Sequence, residues 1–197
     1  MGFCEIADLA KFLQIDIPLA KEPSAQRAID EATAAIKLYC RQELEQVADE
    51  ALTLDCAGGT RLLLPELPIT DVASVVEDDE TLTVDDDYKL GQYGILHRIA
   101  ARWAVGIQII TVTYSHGYAV IPENIVNVCV RAASRAYQAG LRAEEAEGVP
   151  GIQAKGLGDF SVQFGAEVGS SGESTLGASA SPILLRSEKR VLDEYRI

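Results

Sequence analysis

Ser115, His116 and Cys129 are the residues whose chemistry could make or break covalent bonds. The first two lie in the stretch VTYSHGYAVIPENI, Val112 to Ile125, beside Tyr114, Gly117 and Tyr118. Adjacent residues on a strand point to opposite faces, so Ser115 and His116 cannot act as a nucleophile–base pair there. A Cys129–His116 dyad is the remaining nucleophilic arrangement. Cys129 falls on the apolar stripe of a helical pattern, and no Asp or Glu close in sequence is an obvious orienter for the histidine. A binding module stacking sugar on Trp103 and Tyr114 is a second alternative.

Metal and phosphate chemistry find less support. Cys4, Cys40, Cys56 and Cys129 form no CxxC pair, and His97 and His116 are the only imidazoles. Cys40 and Cys129 read as small buried apolar residues. GLGD from Gly156 has the glycines of a phosphate loop without its Lys and Ser/Thr. EDDE (Glu77, Asp78, Asp79, Glu80) and DDD (Asp85, Asp86, Asp87) lack the alternating acids and sixth-position Gly of a calcium loop. They read as solvated hairpin tips. No metal and no cofactor is expected.

The quoted stretch has a fuller explanation as a junction. Val112 and Tyr114 finish a strand face, and Gly117 permits a positive φ at a tight exit. Pro122 and Glu123 suit the first turn of a helix, where a missing N–H costs nothing and a carboxylate meets the positive dipole end.

The elements around that junction follow from periodicity. Ile6, Leu9, Ala10 and Leu13 predict a first helix. Ala25, Ala28, Ile29, Ala32, Ile36 and Tyr39/Cys40 predict a second, from about Ser24 to Leu44. From Glu50 the period becomes two, through Leu52, Leu54 and Cys56. TRLLLPELPI, with Pro65 and Pro68, predicts an edge strand or loop. DVASVV and TLTV flank one hairpin turn, and YKL and YGILHRI flank another. IQIITVTYS is the strongest strand signal. The longest helix should run from Pro122 to Glu145. A Gly/Ser-rich stretch then reads as a flexible arm with one short strand at Phe160 to Phe164. Ser181 and Pro182 should open a terminal helix.

The chain has 197 residues, 48% of them hydrophobic, and a formal charge of −13. It can bury a core, and a net acidic surface disfavours general binding to nucleic acid or anionic lipid. No run approaches the roughly 18 apolar residues of a membrane span. The N-terminal MGFCEIADLAKFLQ lacks the pattern of a secretory signal.

Four stretches carry a family resemblance: ADLAKFLQID with AQRAIDEATAAIKLYC, YGILHR leading to IITVTYSHGYAVIP, ENIVNVCVRAASRAY, and GLGDFSVQF ahead of LDEYR. Together they resemble the head–tail connector (adaptor) proteins of tailed bacteriophages. The resemblance implies a helical connector core (1–50 and 116–147); with the inserted β unit read from the change of period (51–115) and the flexible arm with a terminal helix read from composition (148–197), the fold class is α+β. It implies a structural virion protein, not an enzyme, made in the bacterial cytoplasm and placed at the head–tail junction. Its expected partners are the portal, tail-side connector or terminator proteins, further copies in a ring of about twelve, and DNA passing without specific binding; no membrane is involved. Leu184, Leu185, Val191, Leu192 and Tyr195 are then the residues expected to dock on portal or neighbour. Glu77, Asp78, Asp79, Glu80, Asp85, Asp86 and Asp87 are the candidate acidic channel or surface residues.

Overall fold

The computed structural model describes residues 2–145, 154–157, 160–163 and 183–197. Helix α1 spans Ile6–Leu13 and α2 spans Glu22–Cys40. Seven strands follow: β1 Val47–Gly59, β2 Arg61–Leu63, β3 Ile69–Glu77, β4 Glu80–Leu82, β5 Tyr88–Leu90, β6 Ile95–Arg98 and β7 Trp103–His116. Helix α3 spans Glu123–Glu145, strands β8 and β9 span Ala154–Leu157 and Phe160–Gln163, and α4 spans Arg186–Leu192. The fold class is α+β, as the sequence implied.

Two compact units divide the described chain: Met1–Ala32 with Cys129–Leu185, and Thr33–Val128 with Arg186–Ile197. The first is mainly helical. Its buried residues include Leu9 of α1, Ala25, Ala28, Ile29 and Ala32 of α2, and Ala132, Ala133 and Tyr137 of α3. They recur at helical spacing, so each helix buries one stripe and leaves its charges in water.

The second unit holds two antiparallel sheets, ordered β1-β7-β3-β4 and β2-β6-β5. In the first, Leu52 and Leu54 of β1 pair with Val112 and Ile110 of β7, and Val75 and Val72 of β3 pair with Val112 and Tyr114. Period-two alternation, with a register shift between Val72 and Ser74 of β3, places these side chains on one face. There they form a core with Leu62, Leu64, Leu82, Tyr88, Leu96 and Trp103. Ile36, Cys40 and Leu44 are fully buried in the same unit. The compact units therefore divide the chain within α2 and within α3, while the period of the sequence divides it at 50, 115 and 147.

Several expectations needed adjustment. β1 begins at Val47, three residues before the period changes, because backbone pairing of Val47 with His116 extends the ladder past a shift in register. Strand β8, paired with β9, was not anticipated; its AKGL has no alternation to signal it. Helix α4 starts at Arg186, later than Ser181 and Pro182, which lie outside the described residues. So does most of the Gly/Ser stretch.

Gly117 has φ +85, and an added Cβ would run into the carbonyl oxygen of Glu45. Both effects act against any side chain there. Gly117→Ala is expected to cost about 2 kcal/mol or more. Denaturant unfolding with the slope unchanged measures it, and a loss below about 0.5 kcal/mol would show that the close approach relaxes freely.

Candidate functional site

The junction from Ser115 to Tyr118 holds the candidate nucleophile and base, and the structure shows what its polar groups do. Ser115 Oγ accepts a hydrogen bond from the Asp49 N–H at 3.1 Å, and its carbonyl accepts from Thr70 Oγ1 at 3.0 Å. His116 is fully buried, with Nε2 2.7 Å from the Glu50 carboxylate. Glu66 Oε2 lies 3.3 Å from Nδ1, off the line of a hydrogen bond. The same Glu66 oxygen accepts the Glu43 N–H at 3.1 Å. Gly117 N–H donates to Pro68 O and Tyr118 N–H to Leu44 O, each at 2.9 Å. Ser115 and His116 thus face different partners, as their strand positions require.

The result is a set of fasteners joining β1, β3, β7 and the segments 42–46 and 64–68. A buried imidazole between two carboxylates is well placed to hold strands in register, since every partner comes from a different part of the chain. The Tyr114 ring centroid is 5.2 Å from that of His116, and burial, with Glu66 and Glu50 nearby, pushes the Tyr114 hydroxyl up to about 12. Glu50 is the orienter that sequence distance concealed, with the Glu66 carboxylate close to the ring's other nitrogen. Cys129 has its sulfur against that of Cys4, not an imidazole. Trp103 is 2% exposed and Tyr114 wholly buried, so neither ring presents a face for stacking sugar.

The candidate acidic residues divide. Asp78, Asp79 and Glu80 lie at the β3–β4 turn and are exposed, as are Asp85 and Asp86. Glu77 is a correction. Its side chain is 10% exposed and pairs with Arg98 Nη2 at 3.0 Å, while its other oxygen accepts the Ala104 N–H at 2.7 Å. Asp87 is half-buried; its carboxylate lies 3.3 Å from Arg98 Nη1 and accepts the Thr83 N–H at 2.8 Å. The Arg98 guanidinium sits 5.5 Å above the Trp103 ring. Both acids are parts of an internal charge cluster, because a guanidinium held between two strands needs compensation on the spot.

The candidate docking residues divide as well. Leu192 is fully buried and Leu184 nearly so, which removes them from any exposed surface; Leu185 and Val191 remain exposed and Tyr195 is half-buried. After α4, Asp193 accepts a hydrogen bond from the Tyr39 hydroxyl at 2.6 Å, and Tyr195 O accepts from Gln42 Nε2 at 2.6 Å. Ile197 N–H donates to Cys40 O at 3.3 Å. The chain end also lines a groove of about 410 Å³ with Leu67, Pro68, Ile69, Tyr93 and Tyr118. Tyr93, 77% exposed and at φ +58, stands at its rim. Among the described residues no group of three His, Cys, Asp or Glu side chains could hold a metal ion, and no helix is long and apolar enough to cross a membrane.

This α+β arrangement is a neck-protein fold. It aligns with a chain in the neck of a native gene transfer agent particle of C12 symmetry, at TM-score 0.53 and 13% identity, covering 97% of this chain and 87% of that one. A chain in the neck of the empty particle, of C6 symmetry, gives TM-score 0.54 at 14% identity over 98% and 89%. A chain of the native virion gives 0.52 at 12% over 98% and 89%. The chain belongs to the head completion protein family, whose sequence profile matches residues 3–131. That agrees with the resemblance to head–tail connectors carried by the sequence. Comparison with curated proteins gave no sequence match.

Proposed function

We propose that this chain is a structural virion protein of the head–tail junction. Copies form a ring below the portal, extend the DNA channel and link capsid to tail. The observation that carries the reading is membership of the head completion family across residues 3–131. A fold shared over nearly the whole chain with a particle neck of C12 symmetry supports it, and the copy number of twelve is carried over from that neck. Partners in this reading are the portal on one side and a tail-side connector or terminator on the other. The β unit of residues 51–115 acts as an insertion in a helical connector core. Neither catalysis nor a cofactor is part of the role.

The charge fits passing DNA. Asp78, Asp79, Glu80, Asp85 and Asp86 remain exposed in a chain of net charge −13. A wall of that sign repels phosphate, so a duplex slides without adhering. The exposed Leu185 and Val191 remain available for docking.

Particles assembled without this chain should contain packaged heads that carry no tails, and adding the purified protein should restore tail joining. The protein should also co-sediment with portal. Tails joined normally in its absence would overturn the proposal.

A further inference from the structure

The thiol sulfurs of Cys4 and Cys129 lie 3.5 Å apart, with 125 residues between them in sequence. Both residues are buried, and none of the four cysteines is in a disulfide. Cys4 belongs to the short segment before α1, held by the burial of Phe3 and Cys4 themselves; Cys129 lies on the apolar stripe of α3. A disulfide needs about 2.05 Å between sulfurs. Closing the remaining distance asks for a shift of about 1.5 Å, which the non-helical segment before α1 can supply more cheaply than a helix interior.

We propose that Cys4 and Cys129 are a latent disulfide that closes under a peroxide oxidant and staples the N-terminal segment to α3. The sulfur geometry carries this, and the head–tail role does not enter. One thiol reduces hydrogen peroxide, giving a sulfenic acid and one water. The second thiol then attacks that sulfur, the S–S bond forms and a second water leaves. Two thiol hydrogens and two electrons thus pass to one peroxide, and each sulfur is oxidised by one electron.

Reaction should be slow. The neighbouring sulfur and burial push the Cys4 thiol well above its ordinary range, so little thiolate is present at neutral pH. Local opening of the segment before α1 must also precede attack, since Phe3 and Cys4 are buried. The scarcity of thiolate predicts faster closure as the pH is raised.

Treating the full chain with hydrogen peroxide, then blocking residual thiols and digesting, should yield a cross-linked pair of peptides containing Cys4 and Cys129, lighter by two hydrogens. Dithiothreitol should separate them. The bond closes a very long loop, so Tm should rise by about 5–10 °C on oxidation and return on reduction. Cys4→Ala should abolish both changes. Independent alkylation of Cys4 and Cys129 after oxidation, over-oxidation without linkage, or linkage to Cys40 or Cys56 would each overturn the assignment. A cross-link with unchanged Tm would overturn the staple.

Discussion

Arg98→Ala should lower stability by about 3–5 kcal/mol, a loss of roughly 10 °C in Tm for a chain of this size. Arg98 and Glu77 are 11% and 10% exposed at the side chain, so neither charge can turn to water without moving the strands that hold it. Removing the guanidinium leaves Glu77 buried without its counter-ion, and takes the donor from Asp87 O. It also removes the cation above Trp103. The loss comes from the stranded carboxylate, so the double variant Arg98→Met, Glu77→Gln should recover a large part of it. The exposed pair Lys89–Asp85, 3.6 Å apart, provides the contrast. Lys89→Ala should change stability by less than about 0.5 kcal/mol, because solvent screens that pair. Equal effects of Arg98→Ala and Lys89→Ala in urea unfolding would sink this account of the cluster.

Glu77 shows where reading the sequence alone stops. In EDDE the four acids look alike, and a turn rich in charge reads as solvated. The two strands place Glu77 and Glu80 as a pair at the base of the turn, and Asp78 and Asp79 at its tip. Only Glu77 then meets an arginine 21 residues away. Such a pairing depends on which strands become neighbours, and no local pattern records it. The same holds for Glu50 and Glu66 beside His116, and for Cys4 beside Cys129. What local chemistry does dictate was legible. Leu52, Leu54 and Cys56 alternate as a strand face must, Gly117 takes a positive φ, and the Pro122 carbonyl accepts from Ile125 as the long helix begins. Strand β8 had no alternation to betray it, and the start of α4 shifted because a cap signal at Ser181–Pro182 does not oblige the next residues to be helical.

Truncation after Ser179 should lower Tm by about 10 °C, because the end of the chain is built into the unit it rejoins. A seven-residue helix such as α4 is not stable alone in water. Its support comes from burial of Leu192 and from the contacts of residues 193–197. The Tyr39 and Gln42 side chains and the Cys40 carbonyl all bond to that segment. Lys189 and Arg196 lie 5.6 and 5.4 Å from the Tyr39 ring centroid, and the Tyr195 ring meets Tyr118 edge-on at 6.1 Å. Burying one leucine contributes about 1.5–3 kcal/mol. Each hydrogen bond adds roughly 1 kcal/mol net. Loss of the segment therefore costs on the order of 4–6 kcal/mol and opens Cys40 to water. Leu192→Ala isolates the burial and should cost about 2–4 kcal/mol with the helix still present. The proposed docking on portal makes a different demand, since in that proposal it draws on Leu185 and Val191, both exposed. Leu185→Ser with Val191→Ser should leave Tm nearly unchanged while weakening co-sedimentation with portal. An unchanged Tm after truncation, with portal binding lost, would instead assign the segment to attachment and deny it a share in the chain's own core.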